Sequence, residues 1–246
     1  MSRVLAFTDD SPTATDVLTA AATIARLIDA TVEPVRVVDG TDVGRSLIAQ
    51  LDADDVVFGV IGSRSVPSKP EAVGHVAEAV LLGARSPLVV VPPGGRPLVG
   101  DGLVLLLPLD GRLETSEAAV PIAAALTERL GDVITLHVFD SSTVPMFVTS
   151  IDDQEVIANE FLATHCGDHS DRIHLRLGHA AAEILDVARE EHADAIVLTW
   201  SQDLSLGHAD TIRHLLHRTT VPIILQPIGT VHRSRRGQTH QSDDPG

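Results

Sequence analysis

A polar loop with glycines at both ends, GSRSVPSKPEAVGHV, follows an apolar stretch and precedes a helical pattern in the first third of the chain. Gly62 and Gly74 frame the loop, with Ser63 and Ser65 near its start and His75 at its end. Glycine lets main-chain amides approach phosphate oxygens, and the start of the next helix adds a partial positive charge. The loop could therefore hold a phosphate, although both glycines also suit a tight turn and a helix start.

Other groups that could do chemistry are less complete. His165, Cys166, Asp168 and His169 lie close together, and zinc accepts such ligands. No second spaced pair accompanies them, so we interpret the cluster as solvated surface and expect no metal. The only lysine, Lys69, does not follow a glycine as a Walker loop requires, and neither a dinucleotide fingerprint nor a nucleophile elbow is present. Catalysis is therefore not expected.

The composition favours a globular α/β protein. Hydrophobic residues make up 44% of the 246 residues and aromatics only 2%, which leaves the core to aliphatic side chains typical of buried parallel strands. The net charge of −16 argues against a nucleic acid or an anionic membrane as partner. No apolar run approaches the roughly 20 residues of a membrane helix. A single cysteine and a start without a long apolar segment predict a cytoplasmic protein.

The chain contains an internal repeat. The stretches VAEAVLLGARSPLVVVPPG and TIRHLLHRTTVPIILQPIG each read as a short helix, a turn closed by proline, and an aliphatic strand closed by another proline. Each is preceded by the same order of strand, polar turn, helix and strand, and Asp9 in the first copy matches Asp110 in the second. The repeat predicts two copies of one structural unit in a single chain.

The second copy is longer in its middle. It has room for an additional helix around DDQEVIANEFLATH and an additional strand around RIHLRL, so the first copy is interpreted as shortened. We place the first domain at residues 1–97, the second at 98–229 and a disordered polar tail at 230–246. Alternating strands and helices predict an α/β fold with mostly parallel sheets and right-handed crossovers in both domains.

This pattern resembles the universal stress protein family in a tandem form. The residues that carry the resemblance are PLDG after a strand, LHVFD after the next helix, and the closing helix–proline–strand–proline unit. The family implies a Rossmann-like fold of the adenine nucleotide α hydrolase type, dimerisation through the last strand, roles in stress survival, and ATP binding in many members. The two closing strands of one chain could then pair as an intrachain pseudo-dimer, with a homodimer of whole chains left open.

The resemblance also implies contacts for an adenine nucleotide. Asp9 and Asp110 match an acid that lies beside the adenosine, and Val37 and Val138 match a valine that lines the base pocket. An aspartate directly after a strand can instead cap a turn or a helix. The residues by themselves leave both interpretations open.

The phosphate loop of the first copy departs from the family pattern. ATP-binding members have a glycine, two residues, a second glycine, nine residues, and a third glycine followed by serine or threonine. Here Gly62 is followed by Ser65 in the second position, the spacing is one residue short, and Gly74 is followed by His75. We interpret this copy as a near match that could still bind ATP.

The second copy departs further, because Thr199, Gln202 and Ala209 stand at its three glycine positions. A Cβ atom where the main chain must touch phosphate blocks close approach, so no ordinary ATP site is expected there. We therefore predict a stress-response regulatory protein that acts by binding a protein partner and is not an enzyme. The alternative is a regulator that binds ATP or another adenine nucleotide through the first copy.

Overall fold

The computed structural model of the chain describes residues 1–38, 42–63, 73–128, 130–139, 151–170, 172–202 and 209–228. The predictions for Ser65 and for the tail at 230–246 concern residues outside these ranges.

The strands of the described ranges form one mixed sheet. Its order is β2-β1-β3-β4-β9-β8-β5-β6-β7, and every neighbouring pair is parallel except β4 and β9. The strands are β1 (Arg3–Thr8), β2 (Thr31–Arg36), β3 (Val56–Gly62), β4 (Leu88–Val91), β5 (Val104–Pro108), β6 (Asp132–Phe139), β7 (Arg172–Leu177), β8 (Ala195–Trp200) and β9 (Ile223–Pro227).

Helices connect the strands and cover both faces of the sheet. They are α1 (Ala14–Leu27), α2 (Val43–Leu51), α3 (His75–Gly83), α4 (Leu113–Thr127), α5 (Ile151–His165), α6 (Ala180–Glu190) and α7 (Asp210–Arg218). In α1 the buried residues Val17, Ala20, Ala21 and Ile24 recur at helical spacing, so one face of the helix lies against the sheet. No helix within the described ranges is both long and apolar enough to span a bilayer.

The two halves of the chain repeat one order of elements with one difference. The first half runs β1-α1-β2-α2-β3-α3-β4, and the second half adds α5 and β7 to the same order. The predicted mixed α/β class with a mostly parallel sheet is therefore confirmed, and the helix and strand expected only in the second copy are present there. The exact domain boundaries remain a prediction.

The closing strands of the two halves pair with each other. Val89 of β4 faces Ile224 of β9 in antiparallel register, and neither residue has exposed surface. Both hydrophobic clusters of the core contain residues from each half, since Leu88 and Leu225 belong to one and Val89 and Ile224 to the other. The pairing of β4 with β9 makes the two halves one continuous sheet, and burial of the aliphatic side chains stabilises this junction.

Candidate functional site

Each half has a cleft at the carboxyl ends of its parallel strands. In the first half α1 and α3 leave the sheet on opposite faces, because the core residues of α1 belong to one hydrophobic cluster and those of α3 to the other. The strands that precede these helices, β1 and β3, are neighbours, so a crevice opens between their ends. The second half repeats this arrangement with β5 and β8. The clefts have similar volumes, about 530 Å³ and about 580 Å³.

The first cleft collects the predicted residues of the first copy that the structure describes. Its lining includes Asp9, Val37, Gly62, Ser63, Gly74 and His75. These residues come from four separate segments, so the fold and not the sequence order brings them together. Their role as ligand contacts remains a prediction.

Asp9 takes part in a turn at the end of β1. Its Oδ1 accepts a hydrogen bond from the main-chain amide of Ser11 at 3.0 Å. This bond matches the turn-capping interpretation, and the residue also lines the first cleft. Asp9 therefore holds the shape of the cleft whether or not it contacts a ligand.

Ser63 is a buried polar residue in the first cleft. The residue is 1% exposed, and its Oγ finds no hydrogen-bond partner among the residues that the structure describes. The main-chain oxygen of Ser63 accepts a hydrogen bond from the amide of Gly74 at 2.7 Å, which ties the end of β3 to the start of α3. That amide is therefore not free for phosphate.

The two glycines of the first loop differ in what they require. A Cβ at Gly62 would lie 3.2 Å from Cγ2 of Thr13, so the backbone is closely packed there. Gly74 has φ −69° and ψ 152°, an extended conformation that other residues adopt readily. Only Gly62 has a steric reason to be glycine.

The second cleft contains the predicted residues Asp110 and Val138. Asp110 accepts hydrogen bonds from Nε of Arg112 at 2.7 Å and from Oγ1 of Thr115 at 2.6 Å. Partial burial acts to raise the pKa of Asp110, but the bonds from Arg112 and Thr115 outweigh it and hold that pKa below its ordinary value. Asp110 is therefore an ionised anchor of the turn after β5.

Strand register supports the correspondence of the two loops. Gly62 pairs with Val91 and Thr199 pairs with Gln226, at equal distances from the prolines that precede β4 and β9. Likewise, Ala209 is the residue directly before α7, as Gly74 is directly before α3.

Trp200 is a cleft residue that sequence reasoning missed. It follows Thr199 as Ser63 follows Gly62, it lines the second cleft, and it is only 4% exposed. Its Nε1 is buried and has no hydrogen-bond partner in the described part of the chain. The sequence feature that could have pointed to Trp200 is that it is the only tryptophan of the chain and ends an aliphatic stretch.

Gln202 contacts the other half of the chain. It has φ +58°, in the left-handed region, and its Nε2 donates hydrogen bonds to the main-chain oxygens of Leu81 at 3.1 Å and Ala84 at 2.6 Å. Both acceptors lie at the end of α3. Gln202, which stands at the second glycine position of the phosphate-loop pattern, thus joins the two halves.

The expectation that the histidine–cysteine cluster is solvated surface is wrong for Cys166, which is buried, and for His165, which is half-buried. Cys166 is 2% exposed, and its Sγ lies 3.3 Å from Oγ1 of Thr135, while Asp168 and His169 are exposed. Burial raises the pKa of the Cys166 thiol, against a smaller opposing effect of the Thr135 hydrogen bond. Phe161 and Leu162 of α5 pack against the same hydrophobic cluster that contains Cys166. Within the described ranges, no three histidine, cysteine or acidic side chains are placed to hold a metal ion.

His165, the neighbour of Cys166 in the cluster, packs against another histidine through a phenylalanine. His165 lies 3.0 Å from Oγ of Ser116 through its Nδ1, and its ring stacks on Phe161, which in turn stacks on His137. Burial, with a further contribution from His137, lowers the pKa of His165. Ser116 is itself buried, so this serine–histidine contact stabilises packing and is closed to a substrate.

The fold and clefts define an α/β protein with ligand-sized crevices at the carboxyl ends of parallel strands. The model of the universal stress protein family matches residues 104–227, which is half of the chain. The protein therefore belongs to the universal stress protein family.

Solved structures agree with this assignment at the level of the fold. A universal stress protein from Archaeoglobus fulgidus DSM 4304 is 16% identical, with 92% of this chain and 98% of that chain covered and a TM-score of 0.66. A Pseudomonas aeruginosa UCBPP-PA14 protein assigned to the universal stress proteins is 15% identical, with 93% and 94% covered and a TM-score of 0.66.

A single-domain structure matches about half of this chain. A universal stress protein solved in complex with cAMP is 13% identical, with 51% of this chain and 97% of that chain covered and a TM-score of 0.39. The bound cAMP is a property of that protein. No curated protein matches the sequence significantly.

Proposed function

We propose that this universal stress protein is a regulatory protein that works by binding and not by catalysis. The observation that carries the proposal is the contact of Gln202 with Leu81 and Ala84. In the family pattern this position belongs to a phosphate loop, and here its side chain joins the two halves of the chain. The second loop has exchanged a ligand contact for a structural one, which favours an interaction protein.

Two side chains with nucleophilic character, Cys166 and Ser116, support a non-catalytic role. Cys166 is buried with a raised pKa, and Ser116 is buried beneath His165. A nucleophile needs access to its substrate and activation by a base, and neither side chain has access. The proposal includes a protein partner, a cytoplasmic setting, and whole-chain homodimers as one form in which the surface is presented.

A second candidate function is binding of ATP or another adenine nucleotide in the first cleft. It rests on one observation, that Asp9, Val37, Gly62, Gly74 and His75 line a single cleft. Ser63, whose buried hydroxyl has no partner among the described residues, lines the same cleft.

One calorimetric experiment separates the two candidates. The full chain is titrated with ATP, ADP, AMP and cyclic AMP, with and without magnesium, beside a Gly74→Trp variant that fills the first cleft. The extended backbone at Gly74 accepts a side chain without strain. Asp210→Trp, at an exposed position at the start of α7, is the control for adding an indole outside the first cleft.

The outcomes are distinct. Absence of heat at millimolar nucleotide supports the interaction protein. Saturable binding that Gly74→Trp abolishes and Asp210→Trp keeps supports the nucleotide regulator. Steady release of phosphate from ATP, lost in Gly74→Trp, would overturn the non-catalytic proposal.

A further inference from the structure

A third crevice lies at the opposite edge of the sheet from the two clefts. It runs between α6 and α7 and reaches the turns that lead from these helices into β8 and β9. Because β8 and β9 are parallel neighbours, both helices end where those strands begin. This crevice, called the α6–α7 groove, has a volume of about 530 Å³ and shares no described lining residue with either cleft.

The segment that joins the two halves of the chain closes one end of the α6–α7 groove. The main-chain amide of Arg96 donates a hydrogen bond to the main-chain oxygen of Thr220 at 2.6 Å, and its Nη1 donates one to that of His192 at 3.0 Å. Gly95 approaches the same turn so closely that a Cβ atom would lie 2.7 Å from the Thr220 oxygen. The Arg96 side chain is therefore held against both turns that border the groove.

The α6–α7 groove differs in charge from the two clefts. Among the described residues, each cleft is lined by two acids and one arginine. The groove is lined by three arginines, two histidines and one acid: Arg96, Arg189, Arg218, His192, His214 and Asp186. In a chain with a net charge of −16, this lining is a local excess of positive charge.

The helix ends explain only part of this excess. Arg189 lies in the last turn of α6 and Arg218 ends α7, where cations complement the helix carbonyl groups. His192 lies beyond the end of α6, His214 lies in the middle of α7, and Arg96 belongs to neither helix. Cationic and N–H-donating side chains from three segments of the chain therefore meet at one groove.

Arg218 is the arginine of the groove that is open to a ligand. Arg96 is paired with Asp194, whose Oδ1 lies 3.0 Å from its Nη2, and Arg189 is paired with Asp186. Arg218 is exposed and pairs with no acid among the residues that the structure describes. A guanidinium offers N–H donors in a planar fork that matches the oxygens of a carboxylate or a phosphate.

The floor of the groove is apolar. It consists of short aliphatic side chains from the helices and the two turns: Ala182, Leu185, Ala188, Ala193 and Val221. Ala193 and Val221 are buried, whereas Arg189 and Arg218 are exposed at the rim. A volume of about 530 Å³ is within the usual range for small-molecule sites. A ligand with both an apolar part and an anionic group therefore fits the groove better than a bare inorganic ion.

We propose that the α6–α7 groove binds a small organic anion. Arg218 holds its carboxylate or phosphate group, Arg96 and the two histidines lie beside that group, and the aliphatic floor holds its apolar part. This inference goes beyond the proposed function and does not depend on whether the first cleft holds a nucleotide.

The test is a calorimetric titration of the full-length chain with phenyl phosphate and with benzoate. Benzyl alcohol is the comparison compound without a charge, and inorganic phosphate is the one without a ring. We expect saturable binding of at least one aromatic anion, and about tenfold or weaker binding of both comparison compounds. The aromatic anion that binds more tightly shows whether the arginines recognise phosphate or carboxylate.

Two variants and two controls assign the binding to the groove. Arg218→Gln keeps a polar side chain at an exposed position and removes the charge, so affinity should fall about tenfold. Asp186→Asn removes the acid paired with Arg189, so affinity should rise about two- to fivefold, a gain that loss of structure does not produce. Arg45→Gln, the same exchange at an exposed position of α2, and Gly74→Trp in the first cleft should leave the affinity unchanged.

Several results would overturn the proposal. One is the absence of heat with both aromatic anions at about 20 mM, where only very weak binding escapes detection. Another is a comparison compound that binds as tightly as the aromatic anions, since the groove would then lack either its charge or its apolar selectivity. Unchanged affinity in a folded Arg218→Gln protein, no gain in Asp186→Asn, or loss of binding in Gly74→Trp would each place the anion elsewhere.

Discussion

Nε2 of Gln202 donates a hydrogen bond to the main-chain oxygen of Ala84 at 2.6 Å, across the two halves of the chain. The loop after β8, in the second half, is thereby attached to the end of α3, in the first. A helix end leaves carbonyl groups without partners inside the helix, and here a side chain distant in sequence satisfies one.

Replacing Gln202 tests how much this contact stabilises the fold. Gln202→Ala keeps the left-handed backbone and removes both bonds to α3, and we expect the free energy of unfolding to fall by about 1–2 kcal/mol. Gln202→Gly removes the same bonds but relieves the backbone, so it should be about 1 kcal/mol more stable than the alanine variant. Urea unfolding measures both values, and equal stability of the wild type and Gln202→Ala would rule out a structural role.

The junction between β4 and β9 predicts unfolding of the two halves as one unit. Leu88→Ala, in the first half, should lower the free energy of unfolding by about 2–5 kcal/mol, because Leu88 is fully buried opposite Leu225. Its unfolding is followed by Trp200 emission, which reports on the second half, and by far-ultraviolet circular dichroism. The two curves should shift together.

The control for this variant is Leu130→Ala, since Leu130 is 76% exposed. Its effect should stay within about 0.5 kcal/mol. A Leu88→Ala curve in which Trp200 emission keeps the wild-type midpoint would show that the halves unfold separately.

His165 predicts a pH dependence of stability. Its pKa in the folded protein is lowered from 6.5, so the unfolded chain binds more protons between the two values. The stabilising effect of the neutral ring is therefore complete above about pH 6.5 and is lost as the pH falls below it. His165→Asn should flatten the fall in melting temperature between pH 7 and 5, whereas His169→Asn, at an exposed neighbouring position, should leave the slope in place.

Cys166 predicts a protected thiol. Because burial raises its pKa and covers its sulfur, a thiol reagent at pH 8 should leave the native protein unmodified for the time in which it labels the unfolded protein completely. The chain has one cysteine, so the expected yield in denaturant is one label per chain. Rapid labelling of the native protein would contradict the buried position.

Much of the fold follows from local patterns. The stretch RIHLRL forms β7 over the residues that its pattern indicated, because alternation of polar and aliphatic residues over six positions is typical of a β-strand. The repeat likewise indicated the pairing of β4 with β9. It did so through the family resemblance, since periodicity alone says nothing about which strands are neighbours.

The site was less accessible to sequence reasoning. Thr199, Gln202 and Ala209 were identified by their positions in a pattern, but the direction of the Gln202 side chain depends on the placement of α3. Trp200 was overlooked because nothing in its local sequence marks it as a cleft residue. Cys166 was misjudged because its polar neighbours in sequence are exposed while its own side chain meets Thr135 in the core.

The sequence by itself determined the class of fold, the repeated unit and the position of Asp9, Val37, Asp110 and Val138 at strand ends. These features depend on hydrophobic period and turn chemistry, which are local. Only the tertiary structure decided that Gln202 joins the halves and that Trp200 lines the second cleft with its N–H unpaired. Those facts depend on contacts between segments far apart in the chain, and the packing of the sheet and helices fixes them.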